Sequence, residues 1–344
     1  MAGSTVKKST IVRAKYAGVN VLPPPGTPAP PTLQVPPAWN KRSFTARRAA
    51  AALGATRLAF SVLERWAPDL GSRWAEQLWL TPPKRPWQPA TPVDVEAGEF
   101  FDIPLGAGML RGATWGDGPP VYLVHGWGGR RGQLDAFVGP LVQAGRKVVA
   151  FDIPGHGEST PGAAGPRRAL LPEFGYALAA VIERFGPACG VIAHSLGSAG
   201  VALEVLDGLP VRNLVFINPY VEPITFSHVF ARTLDFGERI RTGFLALLEK
   251  RVGLPMSVFD IPARVAAKGP AELPRLLVVH DRMDREAPYE LGRKLAEAWC
   301  AELVTTEGLG HNRVLVDPEV VARVAGFAGG SEAPAGGRME PSES

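Results

Sequence analysis

The feature that most constrains the fold is an alternation of short apolar runs with helical stretches, which begins near residue 95. The apolar runs include VYLVH at 121–125, GVIAHS at 190–195 and RLLVVHD at 275–281. Uninterrupted apolar runs are typical of strands that are covered on both faces. Further strand-like runs fall at 97–103, 108–114, 147–152, 211–218 and 301–307, and helical stretches fall at 132–143, 168–185, 197–208, 289–299 and 317–328. This order predicts an α/β fold with a mostly parallel, doubly wound sheet and helices on both faces.

Other segments interrupt or flank this pattern. Residues 219–270 contain irregular helical pieces and predict a small helical cap inserted over the sheet's C-terminal edge. Residues 46–90 predict an amphipathic helical extension, because Phe60 and Trp66 belong to an apolar series at helical spacing. The domain organisation predicted from the sequence is a disordered, proline-rich basic tail at 1–45, the extension at 46–90, the α/β domain at 95–328 and a flexible tail at 329–344.

Composition excludes several classes of protein. No stretch of 18 consecutive apolar residues occurs, so no transmembrane helix is expected. Cys189 and Cys300 are the only cysteines, too few for a disulfide framework or a zinc cluster, and this suits a reducing compartment. The N-terminal lysines are not followed by the apolar segment of a secretory signal. We therefore expect a cytoplasmic protein.

Positive charge is concentrated at the start of the chain. Residues 1–93 hold 13 lysines and arginines and 3 acidic residues. This segment is interpreted either as a solubilising tail or as a contact with an acidic partner or membrane surface, in which the helices of 46–80 would take part. It carries no nucleic-acid-binding motif, so no nucleic acid is expected as a partner. The sequence does not determine an oligomeric state.

A serine at the end of an apolar strand is the first candidate catalytic residue. The segment Ala193-His194-Ser195-Leu196-Gly197 closes the run GVIAHS and opens a helical stretch. A tight turn from strand to helix pushes a serine Oγ out of the sheet, and small residues on either side let the backbone pass closely. The N–H groups at the start of the helix favour a developing oxyanion. The alternative is a serine that only caps the helix.

Five segments together resemble the α/β-hydrolase fold family, in the order in which that family has them. They are Val124–Gly129, Phe151–Ser159, the turn around Ser195, Asp284 in VVHDRMDREAP, and Gly308–His311. The resemblance extends over residues 95–328. It implies a serine hydrolase similar to bacterial esterases that uses no cofactor and no metal. The family's pattern, carried onto this chain, implies Ser195 as nucleophile, Asp284 as acid, His311 as base, and the backbone N–H groups of Trp127 and Leu196 as the oxyanion hole.

The chain order nucleophile, acid, histidine also selects His311, which is the histidine beyond the acidic loop. The acid itself keeps two alternatives, Asp281 and Glu222. If Asp281 and Asp284 lie close together, their repulsion would raise the pKa of one of them. Structural roles are expected for four further histidines, His125, His156, His194 and His280. His228 lies in the insertion, where it could meet substrate.

The expected activity is hydrolysis of a carboxylic ester or thioester of a small-molecule acyl substrate through an acyl-enzyme. Acyl transfer or amide hydrolysis on the same triad remain alternatives, as does a non-enzymatic binding or scaffold protein on the same fold. No phosphate-binding loop of the form G-x-x-x-x-G-K-[ST] and no H-E-x-x-H zinc helix occurs. The phenylalanines of the insertion would form either an apolar wall for a hydrophobic group or the core of the cap itself; they are Phe226, Phe230, Phe236 and Phe244.

Overall fold

The computed structural model describes residues 44–83 and 98–330. Most of the two predicted tails, at 1–43 and 331–344, therefore lies outside the described residues. The same holds for 84–90, the end of the predicted extension, and for 95–97 at the start of the predicted α/β domain.

The described residues form a sheet of eight strands with the order β1-β2-β4-β3-β5-β6-β7-β8. The strands are β1 Glu99–Leu105, β2 Gly108–Trp115, β3 Pro120–Val124, β4 Lys147–Phe151, β5 Ala188–His194, β6 Val211–Ile217, β7 Arg275–Asp281 and β8 Glu302–Thr306. β2 pairs antiparallel with β1 and β4, whereas the strands from β4 to β8 pair in parallel. The predicted α/β fold with a mostly parallel sheet is confirmed.

The helices fall into an N-terminal extension, an insertion between β6 and β7, and the helices that cover the sheet. The extension contains α1 Phe44–Trp66 and α2 Pro68–Trp79, and the insertion contains α6 Pro223–Leu234, α7 Glu238–Val252 and α8 Ile261–Lys268. Those of the sheet are α3 Val138–Gln143, α4 Leu171–Phe185, α5 Leu196–Leu206, α9 Tyr289–Trp299, α10 Gly310–Arg313 and α11 Pro318–Ala328. Short 3-10 turns lie at Arg131–Phe137, Met256–Phe259 and Pro270–Glu272.

Two apolar layers cover the sheet because neighbouring strand residues point to opposite faces. Val191 of β5 packs in the layer formed with α4, α5 and α9. Its neighbour Ile192 packs in the opposite layer, formed with α3 and α11. Both side chains are fully buried, as expected from the uninterrupted apolar sequence of this strand. Because the central strands are parallel, their C-terminal ends lie along one edge of the sheet, between the two layers.

The extension packs on the insertion through its aromatic side chains. Phe60 is fully buried; it stacks on Trp74 at 4.3 Å between ring centroids and lies 5.0 Å from the ring of Phe236. The carboxylate of Glu64 accepts hydrogen bonds of 3.1 Å from the backbone N–H groups of Arg239 and Ile240, in the first turn of α7. Since a helix N-terminus has unpaired N–H groups and a positive dipole end, this carboxylate binds there favourably.

The outward face of the extension remains exposed. Leu58, Val62, Trp66 and Leu70 are each more than half exposed. In the described parts of the chain, no helix combines the length and the apolar character needed to cross a membrane. Peripheral membrane contact by the extension stays a prediction.

Candidate active site

Ser195 lies in a strained turn between β5 and α5. Its φ angle is +53°, a region that non-glycine residues rarely adopt. The Ser195 N–H donates to the carbonyl of Ile217 at 3.0 Å, and the Ser195 carbonyl accepts from the N–H of Tyr220 at 3.1 Å. Gly197 makes the turn possible, because a Cβ at that position would lie 2.5 Å from the carbonyl oxygen of His125. Hydrogen bonds to the end of β6 and to the loop that follows it thus hold the strained conformation in place.

The structure brings the three predicted side chains into one hydrogen-bonded chain. The Oγ of Ser195 lies 3.1 Å from Nε2 of His311, and Nδ1 of His311 lies 2.7 Å from Oδ2 of Asp284. The carboxylate of Asp284 is completely buried, and the imidazole of His311 is 8% exposed. Oδ1 of Asp284 accepts from the backbone N–H groups of Glu286 and Ala287. With Nδ1 protonated toward Asp284, Nε2 is free to accept the serine proton.

The two alternative acids bind elsewhere. Oδ2 of Asp281 accepts from the hydroxyl of Thr306 and the N–H of Leu309, both at 2.9 Å. Glu222 accepts from the hydroxyl of Thr225 at 2.9 Å. Burial alone would raise the pKa of Asp281, but its hydrogen bonds outweigh burial and lower that pKa. A second carboxylate nearby therefore does not raise the pKa of Asp281, because backbone N–H donors and the Thr306 hydroxyl stabilise its charge.

Asn218 is a residue of the site that the sequence analysis missed. Its side-chain amide donates to the carbonyls of Gly310 and His311 at 3.1 and 3.2 Å, and its Oδ1 accepts from the N–H of Asp281 at 2.9 Å. Nε2 of His194 also donates to the His311 carbonyl, at 2.9 Å. Asn218 is fully buried and follows the last residue of β6. A polar residue directly after an apolar strand was the signal that could have identified it.

We expect Asn218→Ala to lower the free energy of unfolding by about 2 kcal/mol, because it leaves buried backbone groups without their hydrogen-bond partners. Urea unfolding followed by circular dichroism measures this loss. Asn213→Ala is the matched control, since Asn213 lies within β6, the strand that Asn218 follows, is also buried and donates a hydrogen bond to the carbonyl of Cys189. An Asn218 variant no less stable than this control would contradict a role in fixing the histidine loop.

The loop after β3 passes directly against the serine. A Cβ on Gly126 would lie 2.9 Å from the Cβ of Ser195. The N–H of Gly129 donates to the carbonyl of Gly126 at 3.0 Å, and Gly128 has φ +72°, which is the pattern of a type II turn. Trp127 occupies the second position of this turn. Leu196 is the first residue of α5, where an N–H has no acceptor within its own helix.

The segment after β4 is a structural loop held by Asp152. Its carboxylate accepts from the backbone N–H groups of Arg131 and Glu158 and pairs with the Arg131 guanidinium at 2.6 Å. The hydroxyl of Ser159 donates to the Asp152 carbonyl at 2.6 Å. These bonds tie the loop to the turn that precedes α3, beside the predicted oxyanion residues.

Three of the remaining histidines bind backbone carbonyls. Nδ1 of His125 donates to Gly126, Nδ1 of His156 donates to Pro154, and Nε2 of His280 donates to Ala287. Burial lowers the pKa of each below its ordinary value. His228 instead lies partly exposed on the insertion, 3.8 Å from the carboxylate of Glu238.

Three of the four phenylalanines singled out in the insertion belong to the core shared with the extension, and the fourth, Phe226, packs on Trp79 and Tyr220. Phe230 contacts the rings of Phe236, Phe244 and Trp79 at 5.2 to 5.9 Å. An apolar pocket nearby is lined by other side chains, of which Trp79 belongs to the extension. Of the two interpretations of these phenylalanines, the structure favours the core of the cap over a pocket wall.

A mostly parallel sheet with this strand order, carrying a serine, a histidine and a carboxylate at the C-terminal ends of its parallel strands, has the architecture of the α/β hydrolases. The chain belongs to the alpha/beta hydrolase family, whose sequence model matches residues 121–324. Among the described residues, no group of three or more His, Cys, Asp and Glu side chains could hold a metal ion.

Curated relatives share parts of this chain. The chain is 37% identical over 111 residues to the dihydrolipoyllysine-residue acetyltransferase component of an acetoin cleaving system from Pseudomonas putida, over 31% of this chain and 29% of the relative. It is 33% identical over 67 residues to a probable serine hydrolase from Drosophila melanogaster, over 19% of this chain and 20% of the relative. The chain thus spans less than a third of the length of each of these relatives.

Solved structures share the fold. A structure described as a predicted CIB-like hydrolase from Thermoplasma acidophilum superposes with a TM-score of 0.51 at 17% identity, over 68% of this chain and 99% of the other. A membrane phospholipase A, described as a bacterial virulence factor, superposes with a TM-score of 0.52 at 15% identity, over 83% and 98% of the two chains.

Proposed function

We propose that this protein is a serine hydrolase that cleaves a carboxylic ester or thioester of a small-molecule substrate through an acyl-enzyme. The observation that carries the proposal is the continuous hydrogen-bonded chain from Asp284 through His311 to Ser195, with distances of 2.7 and 3.1 Å. A serine hydroxyl at its ordinary pKa is a weak nucleophile, and an adjacent imidazole oriented by a buried carboxylate is the arrangement that activates it.

In the first half of the reaction, the Oγ of Ser195 attacks the carbonyl carbon while Nε2 of His311 takes the hydroxyl proton. The carbonyl oxygen becomes an oxyanion, which the N–H groups of Trp127 and Leu196 stabilise; one such donor is typically worth about 10² to 10³ in rate. His311 then returns the proton to the leaving alcohol or thiol, and the acyl group stays on Ser195. The Asp284 carboxylate stabilises the imidazolium meanwhile.

In the second half, water takes the place of the alcohol. His311 accepts a proton from the water, the hydroxide oxygen attacks the acyl carbon, and Ser195 leaves with the proton that His311 returns. The product is a carboxylic acid and the enzyme is restored. Balanced in this way, the cycle needs no cofactor or metal. That it takes place in the cytoplasm stays a prediction.

The test is covalent labelling with a fluorophosphonate, which an activated serine attacks at phosphorus with loss of fluoride. We expect mass spectrometry to find the adduct on the peptide that contains Ser195 and no adduct on that peptide in Ser195→Ala. Ser61→Ala is the matched control, because Ser61 is an exposed serine on α1, and it should label like the unchanged protein.

The same preparations are then assayed with p-nitrophenyl acetate. Turnover that disappears in Ser195→Ala and yields acetate supports hydrolysis, whereas an acetylated alcohol as the main product, when an acceptor alcohol is added to the assay, would indicate acyl transfer. A folded protein that gives neither adduct nor turnover would contradict the enzymatic proposal and favour a binding or scaffold role.

A further inference from the structure

An apolar pocket lies between the extension, the start of α4 and the insertion. It is open to solvent on one side, and its lining is formed by apolar side chains such as Trp79, Leu80, Leu171, Ile224, Leu245 and Met256. Trp79 ends α2 and Leu80 follows it, so the N-terminal extension supplies part of the lining. Pockets that hold small molecules are mostly apolar, and this one suits an apolar chain.

One wall of the pocket connects to the nucleophile through Tyr220. The N–H of Tyr220 donates to the carbonyl of Ser195 at 3.1 Å. The ring of Tyr220 lies 5.2 Å from that of Phe226, which lies 5.4 Å from that of Trp79. Ile224, which lies between Tyr220 and Phe226 in the sequence, lines the pocket. A continuous series of contacts therefore joins the serine to the extension.

The opposite wall connects to the loop that carries Trp127. Leu171 begins α4 and lines the pocket. One turn later, the ring of Phe174 stacks on Trp127 at 6.4 Å between centroids. Contacts from this wall thus lead to the ring of Trp127, as contacts from the other wall lead to the backbone of Ser195.

The extension also reaches the loop after β3. A Cβ on Gly128 would lie 3.1 Å from ring atoms of Pro83 and 3.2 Å from its carbonyl oxygen. The carbonyl of Leu80 accepts from the N–H of Ala169 at 3.0 Å. The segment Trp79–Pro83 therefore runs from the pocket to the loop in which Trp127 lies.

Strong contacts fix the extension in this position. Glu76 is buried and pairs with Arg251 of α7 at 2.6 Å. Gly71 packs so closely on α7 that a Cβ there would lie 2.3 Å from Ile240. A wall held by a partly buried ion pair and close helix packing has a defined shape, which a pocket needs in order to select among substrates.

We propose that the N-terminal extension forms a wall of the acyl-chain site and that Trp79 is a specificity-determining residue for long apolar acyl groups. The inference rests on the proposed function, in which Ser195 forms an acyl-enzyme. The chain of a longer acyl group enters the pocket and contacts the Trp79 ring, whereas an acetyl group ends before the pocket begins. Chain length is selected by a segment that precedes the matched hydrolase region at 121–324.

The test compares kcat/KM for p-nitrophenyl acetate and octanoate in the full chain. We expect Trp79→Ala to lower the ratio of octanoate to acetate activity about tenfold, mainly through KM, because apolar contact with the chain is lost. Ile224→Trp fills the pocket from the other wall and should lower the same ratio, which keeps the inference testable if Trp79→Ala fails to fold. Trp66→Ala is the matched control, since Trp66 is 76% exposed on the same extension.

The outcomes separate the two proposals. If the unchanged protein hydrolyses neither ester and gives no fluorophosphonate adduct, the proposed function fails. If it hydrolyses both esters and folded pocket variants keep the ratio of the Trp66 control, the function stands and the acyl-chain site is overturned.

Discussion

Asp284→Asn is expected to lower kcat for ester hydrolysis by about 10⁴ with little change in fold. An asparagine side chain has the same shape as aspartate but presents an N–H donor where the carboxylate accepts. His311 then loses the acceptor at 2.7 Å from Nδ1 that fixes its tautomer and stabilises its protonated form, and in serine proteases a loss of this kind costs about this factor. Steady-state hydrolysis of p-nitrophenyl acetate at pH 7.5 measures it.

Asp281→Asn is the matched control three residues away. The Asp281 carboxylate accepts from Met283 and Leu309 backbone N–H groups, so its replacement should lower thermal stability more than Asp284→Asn does and should lower kcat far less. An Asp284 variant that keeps activity within tenfold of the unchanged enzyme would show that Asp284 is not the acid, and Asp281 and Glu222 would then be tested in turn.

The choice between Asp281 and Asp284 illustrates what a sequence can and cannot determine. Asp281 is the last residue of β7 and Asp284 follows it by three residues, and the resemblance to the family favoured Asp284. The directions in which the two carboxylates point depend on a turn in which the N–H of Asp284 donates to the carbonyl of Asp281 at 3.1 Å. Backbone N–H groups in and around this turn donate to each carboxylate. Such a turn follows from the three-dimensional path of the loop and has no periodic signal in the sequence.

Local sequence patterns predicted where the helices and strands lie better than they predicted which of these elements pack against each other. The apolar spacing of 46–80 and the break at Pro68 agree with α1 and α2 as observed. That Phe60 packs on Phe236 depends on a contact between residues 176 positions apart, which no local pattern contains. The place of Trp79 in an apolar pocket was unpredictable for the same reason.

We expect the free energy of unfolding to fall by about 3 kcal/mol between pH 7 and pH 5. Burial lowers the pKa of His125 to about 4, although its bond to the Gly126 carbonyl raises it somewhat. Burial, with a contribution from His125, lowers the pKa of His156 to about 3. Unfolded histidine takes up its proton near pH 6.5. The unfolded state therefore binds more protons between about pH 6.5 and 4, and stability falls as the pH falls.

At pH 5, each of these two histidines accounts for about 2 kcal/mol of lost stability, from the difference between the folded and unfolded pKa values. Asp135 acts in the opposite direction, because burial raises its pKa to about 6 despite the nearby Arg131 charge, so the folded state takes up a proton there first. The sum of these effects is a net loss, which urea titrations at pH 7 and pH 5 measure.

His125→Gln identifies the source of the loss. Nε2 of His125 accepts from the N–H of Ile153 at 3.1 Å while Nδ1 donates to the Gly126 carbonyl, so a proton added at Nε2 would both place a charge in a fully buried site and break the bond to Ile153. Glutamine has a donor and an acceptor but does not titrate. Its variant should be less stable at pH 7 and should lose about 2 kcal/mol less than the unchanged protein between pH 7 and pH 5. If the two proteins show equal pH dependence, the acid sensitivity originates elsewhere.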